Sequence, residues 1–189
     1  AEKREKAKLE FFKMALRFLR ETWINLRGPI VVIGPGFVKN EFANYVKTAA
    51  SDTGSAVVDV KGVNSAGVAG VHEALRSGVL TGVLRHVRIV EESKVVEEAL
   101  KRLGKGGLDL TYGFTEVKKA SVFGAVEKLL LADSTLRDAS DDKRRALEKL
   151  MREVEERGGQ IVVISTEHEA GVKLLALGGI AAFLRFPVS

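Results

Sequence analysis

Gly28-Pro29-Ile30-Val31-Val32-Ile33-Gly34-Pro35-Gly36-Phe37-Val38-Lys39-Asn40 is the stretch that decides how the chain is read. Its four consecutive β-branched residues, Ile30 to Ile33, stand between Gly-Pro and Gly-Pro-Gly, which predicts a short strand buried on both faces. Residues 38–50 then carry a helical pattern, so the glycine-rich loop leaves a strand and opens a helix. In an open α/β sheet this places the loop at the carboxyl edge, where such sheets bind their ligands and partners.

Phe37 is the unusual residue of that loop, because Pro35 stiffens the segment and Gly36 permits a sharp turn just before the ring. The ring either folds back into the core or anchors a partner; residue type alone favours the core. Two nucleotide motifs fail at this position. A P-loop counted from Gly34 would need a second glycine and a hydroxyl where the chain has Lys39-Asn40, and a dinucleotide fingerprint would need its third glycine at Lys39. Neither ATP nor NAD binding is supported.

Upstream, residues 2–26 read as one long helix. Leu9, Phe12, Leu16, Leu19, Trp23 and Leu26 recur at steps of three and four, and that face is expected to pack on the sheet. Lys6, Lys13, Arg17 and Arg20 fall on a second stripe about 100° round the helix, either a solvated face or a track for nucleic-acid phosphates. Downstream, Asp52-Thr53-Gly54 is a turn into a strand at 56–60. Residues 66–80 form a further helix ending near Gly78, and the whole is half of an α/β sandwich.

The net charge of +5 is uneven: residues 1–87 hold thirteen Lys and Arg against eight Asp and Glu, whereas residues 88–189 hold seventeen of each. This predicts two domains, 1–87 and 88–189, the first facing something anionic. In the second, helices are expected at 91–103, 114–123, 141–157 and 167–177, and strands at 108–111, 126–131, 161–164 and 180–186. The first helix carries its acidic residues early and Lys101-Arg102 late, as its dipole prefers. The alternation gives a three-layer α-β-α sandwich.

Composition bounds the function. The 189 residues are 46% hydrophobic and 29% charged, with no cysteine, which excludes a disulfide framework, a thiolate metal site and a cysteine nucleophile. A reducing cytoplasm is the simplest location. No apolar run approaches the roughly 20 residues of a membrane span. His72, His86 and His168 lack metal-ligand spacing. The chain begins at Ala1, without Met and directly in a helical pattern, as expected of a piece of a longer protein.

Several segments together resemble the Pelota family. They are Gly34 to Asn40; Leu110-Thr111-Tyr112-Gly113-Phe114-Thr115-Glu116-Val117; Gly124 to Leu130; Asp133-Ser134; Ser165 with Glu167 to Gly171; and Leu177-Gly178-Gly179 to Pro187. They run in collinear order over almost the whole chain, and the ending at Leu-Arg-Phe-Pro-Val, without an acidic tail, is similar to archaeal members. The resemblance implies part of the family's central domain in residues 1–87 and its carboxyl-terminal domain in residues 88–189, the latter with the fold shared by kink-turn-binding ribosomal proteins.

What the family does is implied in the same way. Its members are paralogues of class 1 peptide-release factors that enter stalled ribosomes, promote rescue, dissociation and no-go decay of the mRNA, and do not hydrolyse peptidyl-tRNA. Pro35, Gly36 and Phe37 match the motif that contacts an elongation-factor-type translation GTPase, which reverses the core reading of Phe37. Lys6, Lys13, Arg17 and Arg20 would lie along ribosomal RNA, and the second domain would contact the GTPase and a ribosome-recycling ATPase. A monomer, no membrane and no cofactor are expected. A divalent metal enters only with the RNA endonuclease activity disputed for the family, for which no acidic metal pattern is visible.

Gly158-Gly159-Gln160 spells the catalytic GGQ of release factors, but here it lies between a helix and a core strand, where two glycines serve as a left-handed cap. The rival readings are a kink-turn RNA-binding module, against which the neutral charge of the second domain speaks, and a metal-dependent nuclease. The family's amino-terminal domain and the first part of the central domain have no counterpart among these residues.

Overall fold

A computed structural model describes residues 2–188. It divides into two compact units, Ala1–Val87 and Arg88–Ser189. Both are mixed α/β.

In the first unit α1 (Glu2–Leu26), β1 (Ile30–Gly34), α2 (Val38–Ala49), α3 (Ser51–Ser55), β2 (Val57–Gly62) and α4 (Gly67–Arg76) follow in order, with α5 (Thr81–Gly104) continuing into the second unit. The two strands are parallel, and their carboxyl ends meet at Gly34 opposite Gly62. Leu16, Ala43, Val46, Ala50 and Val57 form the core, flanked by Ile30, Val32 and Tyr45. Phe12, also buried, stacks at 5.3 Å on Phe42 and at 5.7 Å on Tyr45. The seven-residue spacing from Phe12 through Leu16 to Leu19 turns this face inward.

Four expectations are corrected here. β1 is half-buried along its length instead of buried on both faces, because it has one strand neighbour, β2, in a two-stranded sheet. Leu9 and Leu26 of the proposed inner face of α1 are 43% and 74% exposed. The turn at Asp52-Gly54 is a short helix, α3. Finally, the 66–80 helix stops at Arg76, and the next begins at Thr81, not at Glu91, so the division between the units falls inside α5.

The second unit adds β3 (Leu110–Tyr112), α6 (Phe114–Val122), β4 (Val126–Ala132), α7 (Asp133–Arg137), α8 (Asp141–Glu156), β5 (Gln160–Ile164), α9 (Glu169–Ala176) and β6 (Ile180–Leu184). Its four strands lie in the order β3-β6-β4-β5, with β4 and β5 parallel and β6 antiparallel to both β3 and β4. The run Leu129-Leu130-Leu131-Ala132 explains the layers, since a strand sends successive side chains to opposite faces. Leu129 and Leu131 join Val117, Leu147, Leu150 and Val154 from α6 and α8. Leu130 and Ala132 join Val96, Ala99, Ala170 and Leu174 from α5 and α9. The sheet is thus covered on both faces, the three-layer sandwich expected.

Gly158 and Gly159 terminate α8 as a cap. Gly158 has φ +73°, and a Cβ on Gly159 would meet Val154 Cγ1 at 2.6 Å. Their amides donate to Glu155 and Val154 carbonyls at 2.9 and 2.8 Å, and Gln160 already belongs to β5.

Candidate partner-binding site

The loop after β1 is built by its own residues. Gly34 ends the strand, Gly36 adopts φ +58°, a left-handed conformation that favours glycine, and Phe37 stands at the N-cap of α2. The Phe37 carbonyl accepts the amides of Asn40 at 2.9 Å and Glu41 at 3.2 Å, so the backbone that carries the ring is held by the first helical turn. The Lys39 ammonium donates to the Gly36 carbonyl from across the loop.

This geometry sends the ring outward. Phe37 is 81% exposed and the adjoining Val38 is 50% exposed, whereas β1 behind them is half-buried. Pro35 and Val38 continue into an apolar groove of about 540 Å³ that runs along β1 between Phe11, Ala15 and Phe42. A rigidly held, solvent-facing aromatic residue beside apolar surface has the form of a protein-interface anchor. The core reading favoured by residue type is therefore wrong for Phe37. Only the loop shape decides it, because a chain that turns at Pro35-Gly36 has no core on the side to which residue 37 points.

The four basic residues of α1 lie on its exposed surface, and the structure gives three of them acidic neighbours. Lys13 pairs with Glu10 at 2.9 Å, Arg17 with Glu21 at 4.0 Å and Arg20 with Asp52 at 3.4 Å, while Lys6 is exposed without a partner among the described residues. The hydrogen bond from Lys13 to Glu10 raises the lysine pKa above its usual value. Arg17 also lies over the Phe18 ring at 5.2 Å. Lys13, Arg17 and Arg20 line one open groove with Leu16, Ile24 and Tyr45. Exposed pairs of this kind contribute about 0 to 1 kcal/mol, so a phosphate can displace their carboxylates.

The second unit contains a polar constellation that the sequence pattern does not reveal. Glu92 on α5 is 4% exposed and accepts from the Ser165 amide at 2.8 Å, from His168 Nε2 at 2.6 Å and from Arg88. An ionised carboxylate only accepts, so Nε2 is the donor of the histidine pair. Burial pushes the Glu92 pKa upward, and the Ser165 amide, Arg88 and His168 outweigh it, leaving the carboxyl below its usual value. Asp133, just beyond β4, accepts from the amide and hydroxyl of Thr166 at 2.9 and 2.6 Å. Two carboxylates thus fasten the turn between β5 and α9 from both sides.

By sequence Glu92 is one of the acidic residues that open a helix. The signal that singles it out is its place on the stripe Glu92, Val96, Ala99, whose other members are buried. Among the described residues, no group of three or more His, Cys, Asp or Glu side chains is arranged to hold a metal ion. No described helix is long and apolar enough to cross a membrane.

Comparison with known proteins gives these features a context. The family described as eRF1 domain 3 matches residues 89–188. A Pelota homologue of Methanocella arvoryzae is 43% identical over 159 residues, covering 84% of this chain and 44% of that protein. One of Methanocaldococcus jannaschii is 35% identical over 184 residues, 97% of this chain and 50% of its own length. Among solved structures, Archaeoglobus fulgidus Pelota superposes with a TM-score of 0.63 at 37% identity, covering 91% of this chain and 54% of that one. Archaeal Pelota, described as ribosome-bound with ABCE1, gives 0.66 at 34% identity over 96% of this chain and 50% of that one. The yeast protein Dom34, from S. cerevisiae and described as interacting with Hbs1, gives 0.60 at 27% identity over 97% of this chain and 54% of that one. The chain spans about half the length of the curated relatives it matches.

Proposed function

The chain belongs to the eRF1 domain 3 family, on its Pelota side, and from that membership we propose that it is the partner-docking half of a cytoplasmic factor for translation quality control on ribosomes. It acts by binding. The first unit grips an elongation-factor-type GTPase through Pro35, Gly36 and Phe37 and lays Lys6, Lys13, Arg17 and Arg20 along ribosomal RNA. The second unit contacts the GTPase and then a recycling ATPase, so that a stalled ribosome is rescued and dissociated without hydrolysis of peptidyl-tRNA.

The observation that carries the reading is Phe37, 81% exposed at the N-cap of α2, with its carbonyl accepting the Asn40 and Glu41 amides. Such a ring loses water and little conformational freedom on docking, which is what concentrates binding energy in a few residues. One relative described as ribosome-bound with ABCE1 and another described as interacting with Hbs1 support translation-factor partners. The seating of Gly158 and Gly159 in a helix cap supports a role other than peptide release.

The test is calorimetric titration of this chain with the cognate GTPase, loaded with a non-hydrolysable GTP analogue. Phe37→Ala is expected to weaken binding about 30-fold or more, the loss typical of an interface anchor. Equal affinity of parent and variant would move the contact off this loop.

A further inference from the structure

In the segment 35–40, Pro35, Gly36, Phe37, Val38 and Asn40 are all exposed, and Lys39 alone is half-buried. A lysine ordinarily extends into water, so its folding back needs a cause. The cause is visible at the ends of the two strands. Gly34 and Gly62 are paired across the sheet and, having no side chains, leave a trough there. The Lys39 stem lies over it: a Cβ on Gly34 would stand 3.8 Å from Lys39 Cβ, and one on Gly62 would stand 3.9 Å from Cε and 4.0 Å from Nζ. These are ordinary van der Waals distances, so the stem runs past both strand ends just where a side chain on either glycine would touch it. The ammonium then reaches back to the Gly36 carbonyl.

We propose that Lys39 is a positioning residue that fixes the loop in the shape that displays Phe37. The side chain runs past the paired ends of β1 and β2 and ties its ammonium to the carbonyl of the left-handed Gly36. Without it the turn is tied to the first turn of α2 through the Phe37 carbonyl alone. As a statement about binding, this rests on the reading of Phe37 as an anchor; as a statement about the loop, it stands apart from that reading.

Three variants separate the possibilities. Lys39→Met keeps the stem and removes the ammonium, Lys39→Arg restores a donor, and Gly62→Val fills the trough while leaving the Lys39 charge in place. Amide hydrogen exchange at Asn40 and Glu41, which donate to the Phe37 carbonyl, is expected to quicken about tenfold in Lys39→Met, in keeping with loss of one charge-assisted hydrogen bond. It is expected to quicken similarly in Gly62→Val and to stay at the parental rate in Lys39→Arg. Unchanged exchange in Lys39→Met overturns the proposal, whether or not the GTPase binds.

Binding gives the second readout. Lys39→Met is expected to weaken the GTPase complex about tenfold, with the loss persisting at high salt because the hydrogen bond is internal to the loop. A loss that vanishes at high salt, or is absent in Gly62→Val, would mean that the ammonium touches the partner directly, and would overturn the positioning role. Full affinity in Lys39→Met beside a loss in Phe37→Ala would also overturn it and leave the anchor intact. Full affinity in Phe37→Ala would reject the anchor, and the exchange rates would still decide the role of Lys39.

Discussion

Glu92 Oε2 and His168 Nε2 stand 2.6 Å apart although the two residues are 76 positions distant in the chain. The same carboxylate holds the Ser165 amide, so one buried charge fixes both ends of the turn that leads into α9. Truncating one partner of a buried charged network leaves the others unpaired. Glu92→Ala is therefore expected to lower stability by about 3 kcal/mol, measured by urea unfolding.

The pH dependence follows with a definite sign. The folded Glu92 pKa lies below its ordinary value of 4.5, so its stabilisation is complete above that value and is lost as pH falls through the lower folded value. The gap in stability between the parent and Glu92→Gln should be constant near neutrality and shrink below about pH 4.5. Unfolding followed by circular dichroism across that range measures it, and a constant gap would contradict the assignment.

Gly171 sits where no side chain fits. A Cβ there would stand 2.1 Å from the Ser165 carbonyl oxygen and 2.6 Å from Thr166 Cα. Because the obstacle is backbone fastened by Glu92 and Asp133, Gly171→Ala is expected to cost about 2 to 3 kcal/mol, despite the helical preference of alanine. Thermal unfolding beside Val172→Ala, whose side chain is 58% exposed, supplies the contrast.

Adjacent leucines of α9 provide a packing test. Leu174 is 0% exposed in the core shared with α5, and Leu175 is 41% exposed. Leu174→Ala should cost about 3 kcal/mol, and Leu175→Ala less than about 1 kcal/mol, by equilibrium denaturation.

The basic stripe of α1 predicts a salt effect. Replacing Arg17 and Arg20 by Glu should weaken binding to ribosomes and reduce the slope of log affinity against log salt by about one unit for each phosphate that is no longer neutralised. An unchanged slope would return the stripe to a solvated face. Ribosome co-sedimentation over a salt series reads both.

The second unit is legible in the sequence because its cues are local. Leu129 to Ala132 are apolar on both faces of a strand, and glycines close α5, α6, α8 and α9, so the order and layering of these elements can be read directly, whereas α7 is followed by Asp138 and carries no such cue. The burial of β1 is not legible in the same way, since Ile30 to Ile33 have the composition of a central strand whichever neighbours they find. The start of α5 is hidden because Gly82 and Val83 argue against a helix locally, a preference of about 1 kcal/mol or less per residue that the rest of a 24-residue helix overrides. Phe37 is misjudged by residue type, since its ring is 81% exposed. The partners of Lys13, Arg17 and Arg20 are side chains within the same unit, and spacing along one helix says nothing of Asp52.

The order of strands in the second unit has a consequence for synthesis. β6 is the last of the four to be made, yet it lies between β3 and β4 and is the strand that joins them. As the chain emerges from a ribosome, β4 and β5 can pair as soon as both are free, but β3 has no strand partner until residues 180–184 arrive. The half-made sheet must wait with Leu129, Leu130 and Leu131 lacking their neighbour on one edge. The sheet of this unit is thus completed only after β6 has been translated, when that strand inserts between β3 and β4.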